Sequence, residues 1–216
     1  MMRAAMLVGA VVGAWLLGPA AARETEGTAP HPAGPAPHAL VTYRLSPQSR
    51  LDVLTGKAGV FGGFGHDHRI RARSFSGSIA YDPANVAASS VEITIQTRDL
   101  DVLPIGADRK DAPRIEEAMR EDVLHVDRWP TIAFRSRSVA PIEGGVRVTG
   151  DLTLAGVTHP VTVDLRLRAG GPRLFADGRF SIRQTDWGIE PYSAALGTIK
   201  VANEVTFDLR AVAVRG

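Results

Sequence analysis

Apolar and polar residues alternate along several segments of this chain, and this period of two constrains the fold more than any other feature. The alternation is clear in residues 91–98, 146–154, 161–168 and 205–210. A β-strand turns successive side chains to opposite sides, so this pattern is typical of a strand with one buried and one solvated face. Such strands are characteristic of antiparallel sheets. The sequence therefore predicts an all-β fold.

Turn residues separate these segments. They are Glu143-Gly144-Gly145, Ala155-Gly156-Val157-Thr158 and Ala169-Gly170-Gly171-Pro172. Less regular extended segments are predicted at 42–46, 50–60, 66–81, 131–139 and 174–183. Together the signals predict about eight or nine strands. Because a barrel or a sandwich protects the exposed edges of one-sided strands, we expect one of these two architectures.

One segment, residues 111–126, follows a helical period instead. Ile115, Met119, Val123 and Val126 recur on one side of it. Asp111 is a candidate N-cap, and proline at position 113 suits the first turn of a helix. Trp129-Pro130 is the expected stop. The sequence thus predicts a single amphipathic helix among the strands.

The first 22 residues have the layout of a secretory signal peptide. A short positive start is followed by an apolar or small stretch from Ala4 to Gly18, and Ala20-Ala21-Ala22 offers a cleavage site. Residues 23–39 are rich in Pro, Ala and Gly without an apolar period, which is typical of a flexible tether. We therefore predict export to the periplasm with cleavage after Ala22, and one folded domain over residues 40–216.

Composition excludes several classes of function. The chain has no cysteine, so it can carry neither disulfides nor a thiol nucleophile. Without Arg3 of the leader, 24 basic residues face 23 acidic ones, and this balance gives no electrostatic case for nucleic acid. The chain has none of the usual hydrolase, metalloprotease, phosphate-binding or dinucleotide-binding motifs. The Asp99-x-Asp101 pair is typical of solvated loop charges. We predict a non-catalytic protein without a cofactor.

The segment Phe61-Gly-Gly-Phe-Gly-His-Asp-His-Arg-Ile-Arg-Ala-Arg73 carries the most unusual chemistry. If a strand begins at Gly65, then Asp67, Arg69, Arg71 and Arg73 share one face, and His66 and His68 share the other with Ile70 and Ala72. The charged face is expected in solvent. Three roles stay open for the histidines: satisfied interior residues, the polar end of a ligand cavity, or two ligands of a metal site.

Four stretches occur in an order that resembles the YceI-like family. They are Phe75-Ser-Gly-Ser-Ile79, Asp122-Val-Leu-His-Val-Asp-Arg-Trp-Pro-Thr-Ile-Ala-Phe-Arg-Ser136, Val148-Thr-Gly-Asp-Leu-Thr-Leu-Ala-Gly-Val-Thr-His-Pro-Val161 and Phe180-Ser-Ile-Arg-Gln-Thr-Asp-Trp-Gly-Ile189. The third stretch is long enough to be specific. The chain departs from the family pattern at Ala107–Pro113 and in the Gly65–His68 segment.

The resemblance implies an extended eight-stranded antiparallel lipocalin-like barrel with one helix. It also implies a pocket for a long isoprenoid or fatty-chain amphiphile in the periplasm. An eight-stranded barrel interior is either filled by side chains or shared with one small ligand. The candidate ligand-binding residues are Phe64, His66, His68, Ile93, Ile95, Phe134, Leu152, Leu154, Phe180, Trp187 and Phe207.

Within this prediction the histidines orient the ligand's head, and Trp187 either closes the barrel end or lines its mouth. Two alternatives remain from other functional classes. The first is an envelope stress or redox accessory that docks on a membrane-protein partner, with residues 23–39 as spacer. The second is a metal-binding protein that uses His66 and His68. The sequence leaves the oligomeric state open, including a dimer.

Overall fold

The computed structural model describes residues 40–58, 67–104, 109–194 and 199–216. The predicted leader and tether lie outside these ranges. The strands are β1 (Val41–Leu45), β2 (Arg50–Ala58), β3 (His68–Ala72), β4 (Ser76–Tyr81), β5 (Ser90–Gln96), β6 (Leu100–Val102), β7 (Thr131–Ile142), β8 (Gly145–Leu154), β9 (Val157–Gly170), β10 (Arg173–Arg183), β11 (Ser193–Ala194) and β12 (Ile199–Arg215). Helix α1 spans Ala112–Ala118. In the described part of the chain, no helix has the length and apolarity to cross a membrane.

The strands close into an antiparallel barrel. Its ring runs β1-β4-β5-β7-β8-β9-β10-β12, and β12 returns to pair with β1. Strands β2, β3 and β6 extend the same sheet from the other half of β12. Consecutive barrel strands are neighbours throughout, as in an up-and-down meander. The predicted eight-stranded antiparallel barrel is confirmed.

More extended segments are found than the sequence predicts because three barrel strands are interrupted. The first consists of β1 and β2, the second of β3 and β4, and the third of β5 and β6. Strand β12 bridges the first interruption, since its residues 213–215 pair with β1 and its residues 200–210 pair with β2. A single 17-residue strand thus holds both halves of the first barrel strand in place.

The alternating segments place their apolar side chains inside, as predicted. Val146, Val148, Leu152 and Leu154 of β8 are buried, while the residues on the other face, Arg147, Thr149, Asp151 and Thr153, are more exposed. The outer faces carry cross-strand ion pairs, including Arg147–Asp164, Arg137–Asp151 and Arg179–Asp208, each with an N–O distance of 2.7 Å. The alternation of apolar and polar residues therefore gives the barrel an apolar lumen and a charged exterior.

The predicted helix is present but shorter and differently ended. A π-helical turn at Met119–Val123 follows α1, and His125 has a positive φ of 46° that ends the helical path before Trp129-Pro130. Asp111 occupies the N-cap position, but its backbone is helical, and its side chain makes no capping hydrogen bond. An N-cap side chain reaches the helix N–H groups from an extended backbone, which Asp111 lacks.

Helix α1 covers the free edge of β6. The backbone N–H of Val102 donates to Oε2 of Glu116 at 2.9 Å, and Arg120 donates to the carbonyl oxygen of Leu100 at 3.2 Å. Glu116 and Arg120 also form an ion pair at 2.9 Å. Unpaired strand edges are prone to wrong pairing, so these side chains protect the place where the extended sheet ends.

A buried carboxylate links β2 to β3. The Asp52 side chain is only 8% exposed and accepts two hydrogen bonds from Arg71, at 2.7 and 2.9 Å. The hydrogen bond from Arg71 lowers the pKa of Asp52, burial works in the opposite direction, and the charges of Arg71, Arg50 and Arg69 lower it further. The net direction is a pKa below the ordinary value.

We predict that Asp52→Asn lowers the unfolding free energy by about 2 kcal/mol at pH 7, since it removes charged hydrogen bonds from a buried site. Because the folded-state pKa is lowered, the stabilisation is complete above the unfolded pKa of about 3.9 and disappears as the pH falls through the lower folded value. Urea unfolding between pH 7 and pH 2.5 measures both effects.

The matched control is Asp164→Asn. Asp164 likewise accepts two hydrogen bonds from an arginine, Arg147, at 2.7 and 2.8 Å, but its side chain is 49% exposed. Solvent screens exposed pairs, so this variant should lose much less stability than Asp52→Asn. Equal losses in the two variants would contradict the assigned importance of burial at Asp52.

Candidate functional site

A cavity occupies the barrel lumen. Its volume is about 110 Å³. A single water needs only about 10–15 Å³ of such space, so the lumen is not solidly filled by side chains. The barrel therefore has room for a guest molecule.

The cavity wall is almost wholly apolar. Every described strand of the barrel ring contributes to it, from Leu45 on β1 to Ala211 on β12. Tyr81 and Ser89 are the polar residues among the described wall positions, and no charged side chain of the described residues lines the cavity. A wall without charges favours an apolar guest, since a buried unpaired charge or polar group is costly.

Six of the residues predicted to bind a ligand lie in this wall. They are Ile93, Ile95, Phe134, Leu152, Phe180 and Phe207. Phe180 and Phe207 face each other across β10 and β12 and stack with a centroid distance of 4.8 Å and an interplanar angle of 8°. The structure thus brings together side chains from five strands, β5, β7, β8, β10 and β12. Their contact with a ligand stays a prediction.

Leu154 and Trp187 lie beside the cavity and not in its wall. Both belong to a packed cluster at the barrel end that carries α1, together with Ile182, Ile189 and Val205. Trp187 is 3% exposed, and its Nε1 donates to the carbonyl oxygen of Leu152 at 2.9 Å. Of the two roles considered for Trp187, the structure favours closure of the barrel end.

His68 is placed away from the cavity wall. It begins β3, pairs with Thr55 of β2, and is half-buried, on the same strand face as Ile70 and Ala72, which pack in the core. The backbone N–H of His68 donates to Oγ1 of Thr55 at 3.4 Å. Phe64 and His66 lie outside the described residues, so their predicted roles are not tested.

The other polar candidates are held in ion pairs. Arg73 contacts Asp99 at 3.4 Å and Asp101 at 3.3 Å, and Arg120 contacts Asp101 at 3.3 Å. These contacts account for the Asp-x-Asp pair as part of the fold. Within the described ranges, no group of three or more His, Asp or Glu side chains is placed to hold a metal ion.

Sequence reasoning missed several wall positions. Ala176 and Ala211 are direct cross-strand partners and line the lumen, where their small side chains leave space. Their place in the alternation of β10 and β12 could have revealed them, but alanine is too common to stand out. Tyr81 and Ser89 were missed because the two residues are brought together only by the pairing of β4 with β5.

A family model described as the YceI-like domain matches residues 46–213. The chain belongs to the YceI-like family. The match covers the barrel ring from β4 to residue 213 of β12 and includes all four stretches on which the resemblance rests. The family assignment and the lipocalin-like barrel are therefore confirmed together.

Relatives in this family are distant. A UPF0312 protein of Vibrio cholerae is 32% identical over 132 residues, which cover 58% of this chain and 66% of the relative, just under two thirds of its length. Protein YceI of Escherichia coli is 29% identical over 159 residues, covering 71% of this chain and 72% of that protein.

Two solved structures share the fold. BcnA of Burkholderia cenocepacia has a TM-score of 0.62 at 21% identity, with 78% of this chain and 98% of BcnA covered. A polyisoprenoid-binding domain of Saccharophagus degradans has a TM-score of 0.57 at 14% identity, with 82% of this chain and 100% of that domain covered. Both likenesses concern the YceI-like fold alone.

We predict that Trp187→Phe lowers the unfolding free energy by about 1–3 kcal/mol, because it removes the hydrogen bond to Leu152 in a buried cluster. Trp129→Phe is the control, since Trp129 is half-buried and its indole makes no hydrogen bond within the described residues. Denaturant unfolding compares the two. A smaller loss for Trp187→Phe than for Trp129→Phe would contradict the closing role of Trp187.

Proposed function

We propose that this YceI-like protein is a non-catalytic carrier that binds a long-chain apolar amphiphile, an isoprenoid or a fatty chain, in the barrel lumen. The observation that carries the proposal is the unfilled cavity with an apolar wall. The chemistry available there is the removal of a hydrocarbon chain from water.

The energetic scale supports this function. Burial of one methylene contributes about 0.8 kcal/mol, so about ten methylenes contribute about 8 kcal/mol before the costs of ordering. A dissociation constant near 1 μM corresponds to about 8.2 kcal/mol. A chain longer than ten carbons can therefore offset the ordering cost and still bind in the micromolar range.

The related proteins favour the same class of ligand. The Saccharophagus degradans domain that shares this fold is described as polyisoprenoid-binding. At 14% identity the likeness does not transfer the ligand by itself. Combined with the apolar wall of this chain, it makes an isoprenoid the first ligand to test.

We place the carrier in the periplasm on the strength of the leader sequence, Met1 to Ala22. Expression with the native leader should yield a soluble periplasmic protein whose N-terminus is Arg23, as read by N-terminal sequencing of that fraction. Recovery of the uncleaved chain from the cytoplasm would contradict export.

The carrier function is tested by mass spectrometry of organic extracts from the purified protein. We expect an isoprenoid or fatty-chain compound in stoichiometric yield, and saturable binding of the fluorescent fatty acid cis-parinaric acid after delipidation. An empty extract together with no binding of this probe or of a polyprenyl phosphate would contradict the proposal.

A variant that fills the lumen provides a second test. Ala211→Phe places an aromatic ring in the lumen wall beside its cross-strand partner Ala176. We expect cis-parinaric acid to bind about tenfold more weakly because the ring occupies space that the guest needs. Arg210→Phe is the control, since Arg210 precedes Ala211 on β12 and is exposed. Equal affinities for both variants would show that the probe binds outside the lumen.

A further inference from the structure

The barrel wall contains an interface where two strands run on without pairing. Strands β9 and β10 are paired from Arg173↔Gly170 to Gly178↔Leu165. Beyond this point residues 157–164 of β9 pair only with β8, and residues 179–183 of β10 pair only with β12. We call these two unpaired stretches the seam. Both stretches lie entirely within the described part of the chain.

Polar side chains along the seam bond away from it. On β9, Thr162 contacts Thr149 at 3.1 Å and Asp164 contacts Arg147 at 2.7 Å, both on β8. On β10, Ser181 contacts Thr206 of β12 at 2.9 Å. Arg179 of β10 likewise bonds away from the seam, to Asp208 of β12. Among the described residues, no side-chain hydrogen bond or ion pair joins the two sides of the seam.

Both ends of the seam are closed by packing. At one end Gly178 lets the Leu165 side chain and the Asp164 carbonyl lie directly against the β10 backbone, in space that a Cβ atom would occupy. At the other end the His159 ring meets the Trp187 ring edge-on at 5.3 Å. From Leu165 to His159 the seam is about 20 Å long, at about 3.3 Å per residue.

Phe180 separates the lumen from the outside along the seam. Its half-buried ring lines the lumen cavity. The residue also lines two depressions on the outer surface, one bounded by Pro160 and Arg183, the other by Arg147 and Arg179. Phe180 thus borders both the interior and the exterior.

The sequence of β9 suits an unpaired edge at this position. Pro160 lies within the seam and has no N–H to donate, and proline in sheets is confined to edges and bulges. A comparable unpaired stretch on β7, residues 137–142, is covered by the short 3₁₀ turn Val86–Ala88. At the seam the corresponding 3₁₀ turn is Gln184–Trp187, which contacts β9 at the end where Trp187 meets His159.

We propose that the seam is the passage through which the apolar chain of the ligand enters and leaves the lumen, with Phe180 as its movable gate. This inference rests on the proposed carrier function. Opening the seam breaks no backbone ladder and no ion pair, whereas separating β8 from β9 would break a ladder from Gly145↔Arg166 to Leu154↔Val157. The packed end of the barrel beside α1 stays closed, and the apolar chain of the ligand passes between β9 and β10.

The test is to lock the seam chemically. Thr162→Cys with Ser181→Cys places one thiol on each outer side of it, and the protein has no other cysteine, so a short bis-maleimide joins only these two. The control is Thr149→Cys with Thr162→Cys, which shares the change at residue 162 with the first variant. Its crosslink locks the fully paired β8–β9 interface. Stopped-flow fluorescence then measures cis-parinaric acid uptake by the delipidated proteins and release from proteins loaded before crosslinking.

We expect the seam crosslink to slow both uptake and release about tenfold or more, because it blocks the path in both directions, as closing a lid does. The β8–β9 crosslink should leave both rates within about twofold of the uncrosslinked protein. Equal rates in the two crosslinked proteins would overturn the seam as the passage while leaving the carrier function intact. Absence of probe binding to the uncrosslinked protein would instead overturn the carrier function and the passage together.

The gate is tested separately by Phe180→Ala against Phe207→Ala. Both variants remove a ring of the same stacked pair from the lumen wall, but only Phe180 borders the outer depressions. We expect Phe180→Ala to accelerate uptake and release together, whereas Phe207→Ala changes release without faster uptake. Equal acceleration of uptake in both variants would rule out Phe180 as the gate.

Discussion

The barrel depends on the pairing of β12 on both of its edges. One edge is paired to β10 from Arg173↔Val214 to Arg183↔Glu204, and the other holds β1 and β2. Without the second edge the sheet would remain open, and the apolar faces of its strands would meet water. Closure makes these faces a shared interior, and because eight strands enclose slightly more space than these side chains fill, a cavity remains.

Function in this molecule follows from how the wall is filled. A packed cluster that includes Trp187 and Leu154 fills the end that carries α1, and small side chains, Ala176 and Ala211, line the lumen. The outer ion pairs give the barrel a solvated surface without crossing the seam. The same strand pattern thus supplies a closed barrel, a cavity, and a seam that no backbone ladder crosses.

Much of the wall could be predicted from the period of two, since alternation states which side chains share a face. Ile93, Phe134 and Phe207 are examples, since all three line the cavity. The role of Trp187 could not be fixed in advance, because its apolar ring suits a wall or a closing cluster equally well. Its position was decided by the indole hydrogen bond to Leu152, a residue 35 positions away.

By itself the sequence determined the class of fold, the inward and outward faces, the turns and the family, because these depend on neighbouring residues. The tertiary structure alone decided the interruption of three barrel strands, the burial of Asp52 beside Arg71, the absence of His68 from the cavity wall, and the seam between β9 and β10. The physical reason is that the alternation shows which face of a strand is buried but not which strand pairs with it. Pairing depends on contacts between residues far apart in the sequence, so no single segment shows where the pairing of two strands ends.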